Sequence, residues 1–205
     1  MKTRIFLALM ISGVVLSMTA CINLDTGRSP TTQFYMLETG TAGSVAEAAS
    51  SLPAGFTIGV GPIRTPQYLN LPMIVTRTGP NEIQSAEFHQ WAEPLRDNIS
   101  RVMSEELLLL TGAAHAFSFP WRSAISVNVQ VAVNVIQFDT VANGAAVLKA
   151  QWTLFGEKGK KALMTQRSTI TRPEKGSGYA GRVATMSLAL GDLTREIADA
   201  IRKVN

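Results

Sequence analysis

Cys21 is the only cysteine among 205 residues, and its chemistry is the first question the sequence poses. A lone thiol has no disulfide partner within the chain, and left exposed in an oxidising compartment it would be a liability. Modification is therefore its expected use. Other reactive residue types are sparse. His89 lies in Phe88-His89-Gln90-Trp91, just before a helix, and His115 lies in a loop after it. Neither has cysteine, histidine or carboxylate neighbours at metal-ligand spacing, so both read as structural or exposed. No Gly-x-Ser-x-Gly elbow occurs. Gly59-Val60-Gly61 is followed by Arg64 where a dinucleotide loop needs its third glycine. Gly159-Lys160 is followed by Lys161 rather than Ser or Thr, so a phosphate loop is unsupported. Glu105 and Glu106 are adjacent, and adjacent side chains on a helix diverge, so the pair reads as a solvated flank. These residues give no catalytic, cofactor-binding or metal-binding site, and partner-binding residues are unassigned.

Cys21 ends the stretch Leu16-Ser17-Met18-Thr19-Ala20-Cys21. Met1-Lys2-Thr3-Arg4 is a basic start. Ile5 to Val15 is apolar, broken by Ser12 and Gly13, and small residues lead up to the cysteine. That order makes a secretory signal. With a cysteine directly after the cleavage site, the stretch resembles a bacterial lipobox, in which the peptidase cuts before the cysteine and the thiol carries a diacylglycerol. Met18 stands where leucine is usual, three residues before the cysteine. A spanning helix needs about 20 mostly apolar residues, and this run is shorter. The expectation is a signal peptide over 1–20 and lipidation at Cys21. A plain secretory signal and a helical anchor are the weaker alternatives.

Removal of residues 1–20 leaves one domain's length of chain, enough to build a core without disulfides. The whole chain has 19 basic and 15 acidic residues, and Lys2 and Arg4 leave with the signal, so the remainder carries a net charge of +2. No basic stripe with interleaved aromatics is present, which argues against a nucleic-acid partner. Residues 21–32 lack any period and contain Gly27 and Pro30. They read as a lipidated tether, and the eleven residues from Ile22 reach at most roughly 35 Å at ~3.3 Å each.

Residues 33–205 carry the pattern of a folded domain. Gln33 to Leu37, Phe56 to Ile63, Leu71 to Thr76 and Ile83 to Glu87 read as short strands. Gly59 and Gly61 would admit a close neighbour, and Pro62 and Pro66 would end the second strand. Ser44 to Ser50 is at most a weak helical turn. A helix is expected from Pro94 to Gly112, with proline in its first turn and glycine at its stop. Ile125 to Phe138 alternates Val127, Val129, Val131, Val133 and Val135 with smaller and polar residues, the mark of a half-buried antiparallel strand. Asn143-Gly144 marks a hairpin, and Ala145 to Phe155 and Ala162 to Thr171 complete a three-stranded meander. Tyr179 to Val204 reads as the last helix, with Ser177 as N-cap and Gly191 at a close helix–sheet contact or a kink. Trp91, Trp121 and Trp152 read as core or rim, with an exposed partner patch as the alternative, as for Leu108 and Leu109. The sum is an α/β fold, a mixed sheet with helices packed on it.

Several of these segments match a known family in order and spacing. Phe34-Tyr35-Met36-Leu37, then Ile58-Gly59-Val60-Gly61-Pro62-Ile63 with Pro66-Gln67-Tyr68-Leu69, then Trp91-Ala92-Glu93-Pro94-Leu95, together with Cys21, resemble the ABC-type transport auxiliary lipoprotein family, the PqiC-like, membrane integrity-associated transporter subunits. The resemblance implies an anticodon-binding-domain-like α/β fold and an outer-membrane lipoprotein facing the periplasm. It also implies a non-enzymatic, cofactor-free accessory subunit of an MCE-type lipid transport system, with an MCE-domain periplasmic protein as partner and a possible homo-oligomer. Ile22, rather than aspartate, follows the cysteine, which agrees with outer-membrane sorting. An envelope (cell-wall) hydrolase and a stand-alone structural lipoprotein are the alternatives.

Overall fold

The computed structural model describes residues 30–40, 52–122, 124–156 and 159–205. The signal peptide, Cys21, most of the tether and the helical turn expected over Ser44 to Ser50 lie outside the described residues. The folded unit spans Thr32–Asn205. Its strands are β1 (Gln33–Tyr35), β2 (Thr57–Arg64), β3 (Met73–Gly79), β4 (Glu82–Trp91), β5 (His115–Ser118), β6 (Val129–Val141), β7 (Ala146–Gly156) and β8 (Lys161–Arg172). Its helices are α1 (Leu95–Thr111) and α2 (Gly178–Val204).

The eight strands form one mixed sheet centred on β6. One edge of β6 is lined antiparallel by β7, which in turn pairs with β8. The other edge is shared: β2 runs parallel to its first half and β3 parallel to its end, at Thr76↔Thr140. β5 extends the sheet beyond β2, while β4 and then β1 extend it beyond β3. The valine alternation explains this centrality. Val129, Val131, Val133 and Val135 are buried toward the helices with Leu148, Ala150, Trp152 and Leu154 of β7. A register shift between Val135 and Gln137 then leaves Ile136 exposed and restores Phe138 to the core.

Both helices cover the same face. Pro94 begins α1 in an extended conformation, and Gly112 ends it with φ 66°, a left-handed cap that suits glycine. Ser177 does precede α2, but its hydroxyl makes no capping hydrogen bond. Polar links fasten α2 to the meander. Trp152 Nε1 donates to Ser168 Oγ at 3.0 Å, and Ser168 donates to Glu196 at 2.6 Å. Arg172 pairs with Asp192.

Several boundaries differ from expectation. His115 opens a short strand rather than lying in a loop, and β4 runs on through His89 to Trp91. Both depend on pairing with segments remote in sequence. Pro62 sits inside β2, at the register shift between Val60 and Ile63, so it does not end the strand. Gly59 and Gly61 are indeed sites of close approach: a Cβ at Gly59 would meet the Trp121 ring at 2.6 Å, and one at Gly61 would meet Phe119 Cβ at 2.6 Å.

Between β2 and β3 the chain leaves the edge of β6 and returns, and a 3-10 turn at Gln67–Leu69 lies in that excursion. Tyr68 there donates to the buried Asp139 Oδ2 at 2.9 Å, and Arg77 reaches the same oxygen at 3.0 Å. Gln137 donates to Oδ1 at 2.7 Å. Burial, then the Asp139 charge, pushes the Tyr68 phenol up to about 12. A raised folded-state pKa gives stability that is fully present below the unfolded value of 10 and lost as pH rises toward 12. Tyr68→Phe is therefore expected to cost about 1.5–3 kcal/mol at neutral pH, the contribution of a hydrogen bond to a charged group. That deficit should shrink between pH 10 and 12, as read by urea unfolding of both chains across pH.

Candidate functional site

The segment that follows the tether is held at a point where a sheet edge meets both helices. β1 is only three residues long and pairs in parallel with the end of β4, Tyr35 opposite Trp91. Ala92 N–H closes the pairing on Tyr35 O at 2.9 Å, and Trp91 N–H bonds Pro72 O at 2.7 Å. Two of the sequence marks, Tyr35 and Trp91, are thus neighbours in space. Trp91 is buried in the core.

Beyond β1 the contacts become polar. Leu37 is fully buried, and its carbonyl accepts from Arg101 of α1 at 3.1 Å. Arg101 also bonds Glu93 and Glu105, each at 3.3 Å, and Asn98 at 3.0 Å. Burial lowers the pKa of this guanidinium, but Glu93 and Glu105 outweigh it and the net direction is upward. Glu93 and Pro94, marks of the Trp-Ala-Glu-Pro-Leu segment, therefore work together. Pro94 starts the helix, and Glu93 helps orient the arginine that grips Leu37. Next, Glu38 N–H donates to Ser187 Oγ of α2 at 3.2 Å, and Gly40 N–H donates to Glu106 Oε1 at 2.5 Å.

Glu106 is the residue that sequence reasoning misplaced. It is not a solvated flank but fully buried, facing α2, whereas Glu105 is exposed. A Cβ at Gly191 would come within 3.2 Å of Glu106 Oε1, and one at Gly40 within 2.8 Å of Ser187 O. Gly191 is thus a close helix–helix and helix–loop contact, not a helix–sheet one. The signal was available as a mismatch: Glu106 sits three residues after Met103 on the apolar stripe, and Gly191 interrupts the facing helix.

His89 completes the junction on β4. Its Nδ1 lies 2.7 Å from Tyr35 Oη, and its ring stacks on Tyr179 with centroids 3.9 Å apart. Arg182 lies over the same Tyr179 ring at 5.2 Å and donates to Thr76 Oγ1 at 2.8 Å. Burial, and then Tyr179, raises the Tyr35 pKa. A groove of about 430 Å³ runs beside this junction between residues 35–40 and α2, with Met36, Lys175 and Leu188 on its walls. Among the described residues, no group of three or more His, Cys, Asp or Glu side chains converges as a metal site, and no helix is long and apolar enough to cross a membrane. His115 is far from His89 in the sheet order and contacts Phe117. Trp152 is core and Trp121 lies against Gly59, while Leu109 is exposed.

The arrangement does mechanical work: it ties residues 35–40 to β4, α1 and α2. Arg101→Met removes the grip on Leu37 and leaves its carbonyl without this donor, which should cost about 1–3 kcal/mol. Amide exchange at Glu38 and Gly40 should accelerate well before exchange in β6, and site-resolved exchange checks both.

Comparison with known proteins fits this architecture. An uncharacterized protein of known crystal structure superposes with a TM-score of 0.67 at 18% identity, over 84% of this chain and 99% of its own. A Xanthomonas campestris protein of the DUF330 family superposes with a TM-score of 0.65 at 18% identity, over 84% and 96%. At that identity the likeness shows the fold. No curated protein matches the sequence. The family model described as ABC-type transport auxiliary lipoprotein component matches residues 35–198, from the clamped Tyr35 to the last turns of α2. The chain belongs to the ABC-type transport auxiliary lipoprotein family.

Proposed function

We propose that this protein is a lipid-anchored, non-enzymatic accessory subunit of an MCE-type intermembrane lipid transport system. In this reading Cys21 carries the lipid, the domain sits on the periplasmic side of the outer membrane, and it docks the periplasmic MCE assembly there. The observation that carries the reading is the family match over residues 35–198. The lone Cys21 behind a signal-like stretch, with Ile22 after it, supplies the anchor and favours outer-membrane sorting. The structure adds a mechanical reason. Residues 33–40, which follow the proposed tether, are bonded into β4, α1 and α2, so a pull on the anchor is borne by the core.

An envelope hydrolase would need a base beside a nucleophile or a converging carboxylate pair. His89 instead contacts Tyr35 and Tyr179.

A single acyl chain binds membranes only marginally, so a multiply acylated cysteine is expected. Cys21→Ala should move the protein from the membrane fraction to the soluble fraction. Retention as firm as wild type would remove the anchor from this account. In a cross-linked pull-down from detergent extracts, an MCE-domain protein should be recovered with the wild-type chain. Its consistent absence would favour a stand-alone structural lipoprotein.

A further inference from the structure

We infer that the sheet face opposite the helices is a docking surface for an acidic, extended protein segment, gripped by Arg64, Arg167 and Lys149. The register aligns Arg64, Asn134, Gln151 and Arg167 in one row across β2, β6, β7 and β8. Paired residues on neighbouring strands share a face, and this row alternates with the buried Val133, Val135, Ala150 and Trp152, so it points away from the helices. Lys149 lies two residues along β7 on the same face, opposite Gln137 and Thr169.

The charge of this face is one-sided. Neither Arg64 nor Lys149 has a hydrogen-bond or ion-pair partner among the described residues, and Arg167 donates only to Gln151 Oε1 at 3.0 Å. β2, β6, β7 and β8 contain one carboxylate between them, Asp139. It is fully buried and committed to Arg77, Tyr68 and Gln137. A half-buried sheet needs a polar outer face for solvation, but a solvated surface ordinarily mixes both signs. Three cations without a free counter-charge are complementary to an acidic partner.

Shape narrows the partner further. A groove of about 320 Å³ follows the Arg64, Asn134 and Gln151 part of the row, lined also by Pro62, Thr153, Phe155 and Gly159. A recessed site admits a narrow chain, whereas a flat bilayer meets protrusions. Asn134 and Gln151 offer amide groups suited to peptide N–H and C=O. Arg64 and Arg167 stand three strand spacings apart, about 14 Å at ~4.8 Å each. An extended segment advances ~3.3 Å per residue, so carboxylates about four residues apart would reach both arginines.

The test uses the full lipidated chain in neutral detergent and a fluorescent synthetic peptide carrying two glutamates four positions apart in a serine and threonine background. A peptide with lysine in place of glutamate is the control. The glutamate peptide should bind and the lysine peptide should not. The double variant Arg64→Glu, Arg167→Glu should lose at least tenfold in affinity for the glutamate peptide and gain binding to the lysine peptide. Both side chains are exposed, so its melting temperature should stay near wild type; Lys149→Glu, alone, should weaken binding about threefold. Unchanged binding by the double variant would overturn the proposal. So would binding to phosphatidylglycerol vesicles, but not to the peptide, that requires Arg64 and Arg167, because the face would then serve a lipid surface. Absence of binding to either probe would overturn it as well. The inference does not depend on the anchor: the Cys21→Ala chain should bind the glutamate peptide as wild type does.

Discussion

Strand β6 can turn only every second side chain toward the helices, and that constraint organises the molecule. Its four buried valines, Val129, Val131, Val133 and Val135, all point to one face. Each contributes about 1.5 kcal/mol or more when buried, an upper estimate because unfolded chains already bury some apolar surface. Even so, the sum is comparable with the ~5–15 kcal/mol that holds a whole domain together. A one-residue slip against β7 or β2 would turn the row into water. The register of its neighbours follows, and so does the placement of both helices on the valine side. The opposite face is left largely to polar side chains, Gln130, Asn134, Gln151, Thr153 and Arg167 among them, with Ala132, Ile136 and Phe155 interspersed.

Only parts of that opposite face are covered, each by a local device. Near the start of β2, Trp121 and Phe119 lie on Gly59 and Gly61, positions where a side chain would collide with them. At the end of β6, Tyr68 and Arg77 seal Asp139 from water. A buried carboxylate is costly unless it is paired and fully hydrogen-bonded, and Asp139 has three partners. At the helix seam the buried Glu106 accepts from Gly40 N–H. In both cases a buried acid fastens a connecting segment, residues 65–72 in one and 38–40 in the other.

Local signals in the sequence carried the helices, the hairpins and the valine strand, because caps, turn residues and periodicity act over a few positions. Pro94, Gly112 and Gly144 all stand where such rules put them. What the sequence concealed was non-local. β5 is four residues long and exists only because β2 offers it an edge. The second half of β4, with His89 and Trp91, is a strand because β1 pairs with it. Glu106 reads as surface in a list of charges, and only the approach of Gly40 and Gly191 makes its burial intelligible. The family marks were legible as a pattern but not as a device: Tyr35, Trp91, Glu93 and Pro94 become one clamp only when β1 lies against β4 and Arg101 reaches Leu37. The cationic row was invisible because its members lie on four strands, spread from Arg64 to Arg167.

The clamp and the cationic row also divide the sheet between two tasks. β1 sits at one edge, beyond β3 and β4, while the row reaches toward β8 at the other. Exposed ion pairs contribute little singly, about 0.2–1 kcal/mol each, and a few of them make a weak site between freely diffusing molecules. A tether changes that arithmetic. If Cys21 is lipidated as proposed, confinement near a membrane would raise the effective concentration of a partner held at the same surface, commonly into the millimolar range for short flexible linkers. Weak, reversible charge pairing is then sufficient for docking, and it leaves the partner free to turn over. On this argument the proposed anchor and the open face are complementary: the face binds its partner by itself, and confinement at a membrane would raise the fraction of the time that the site is filled.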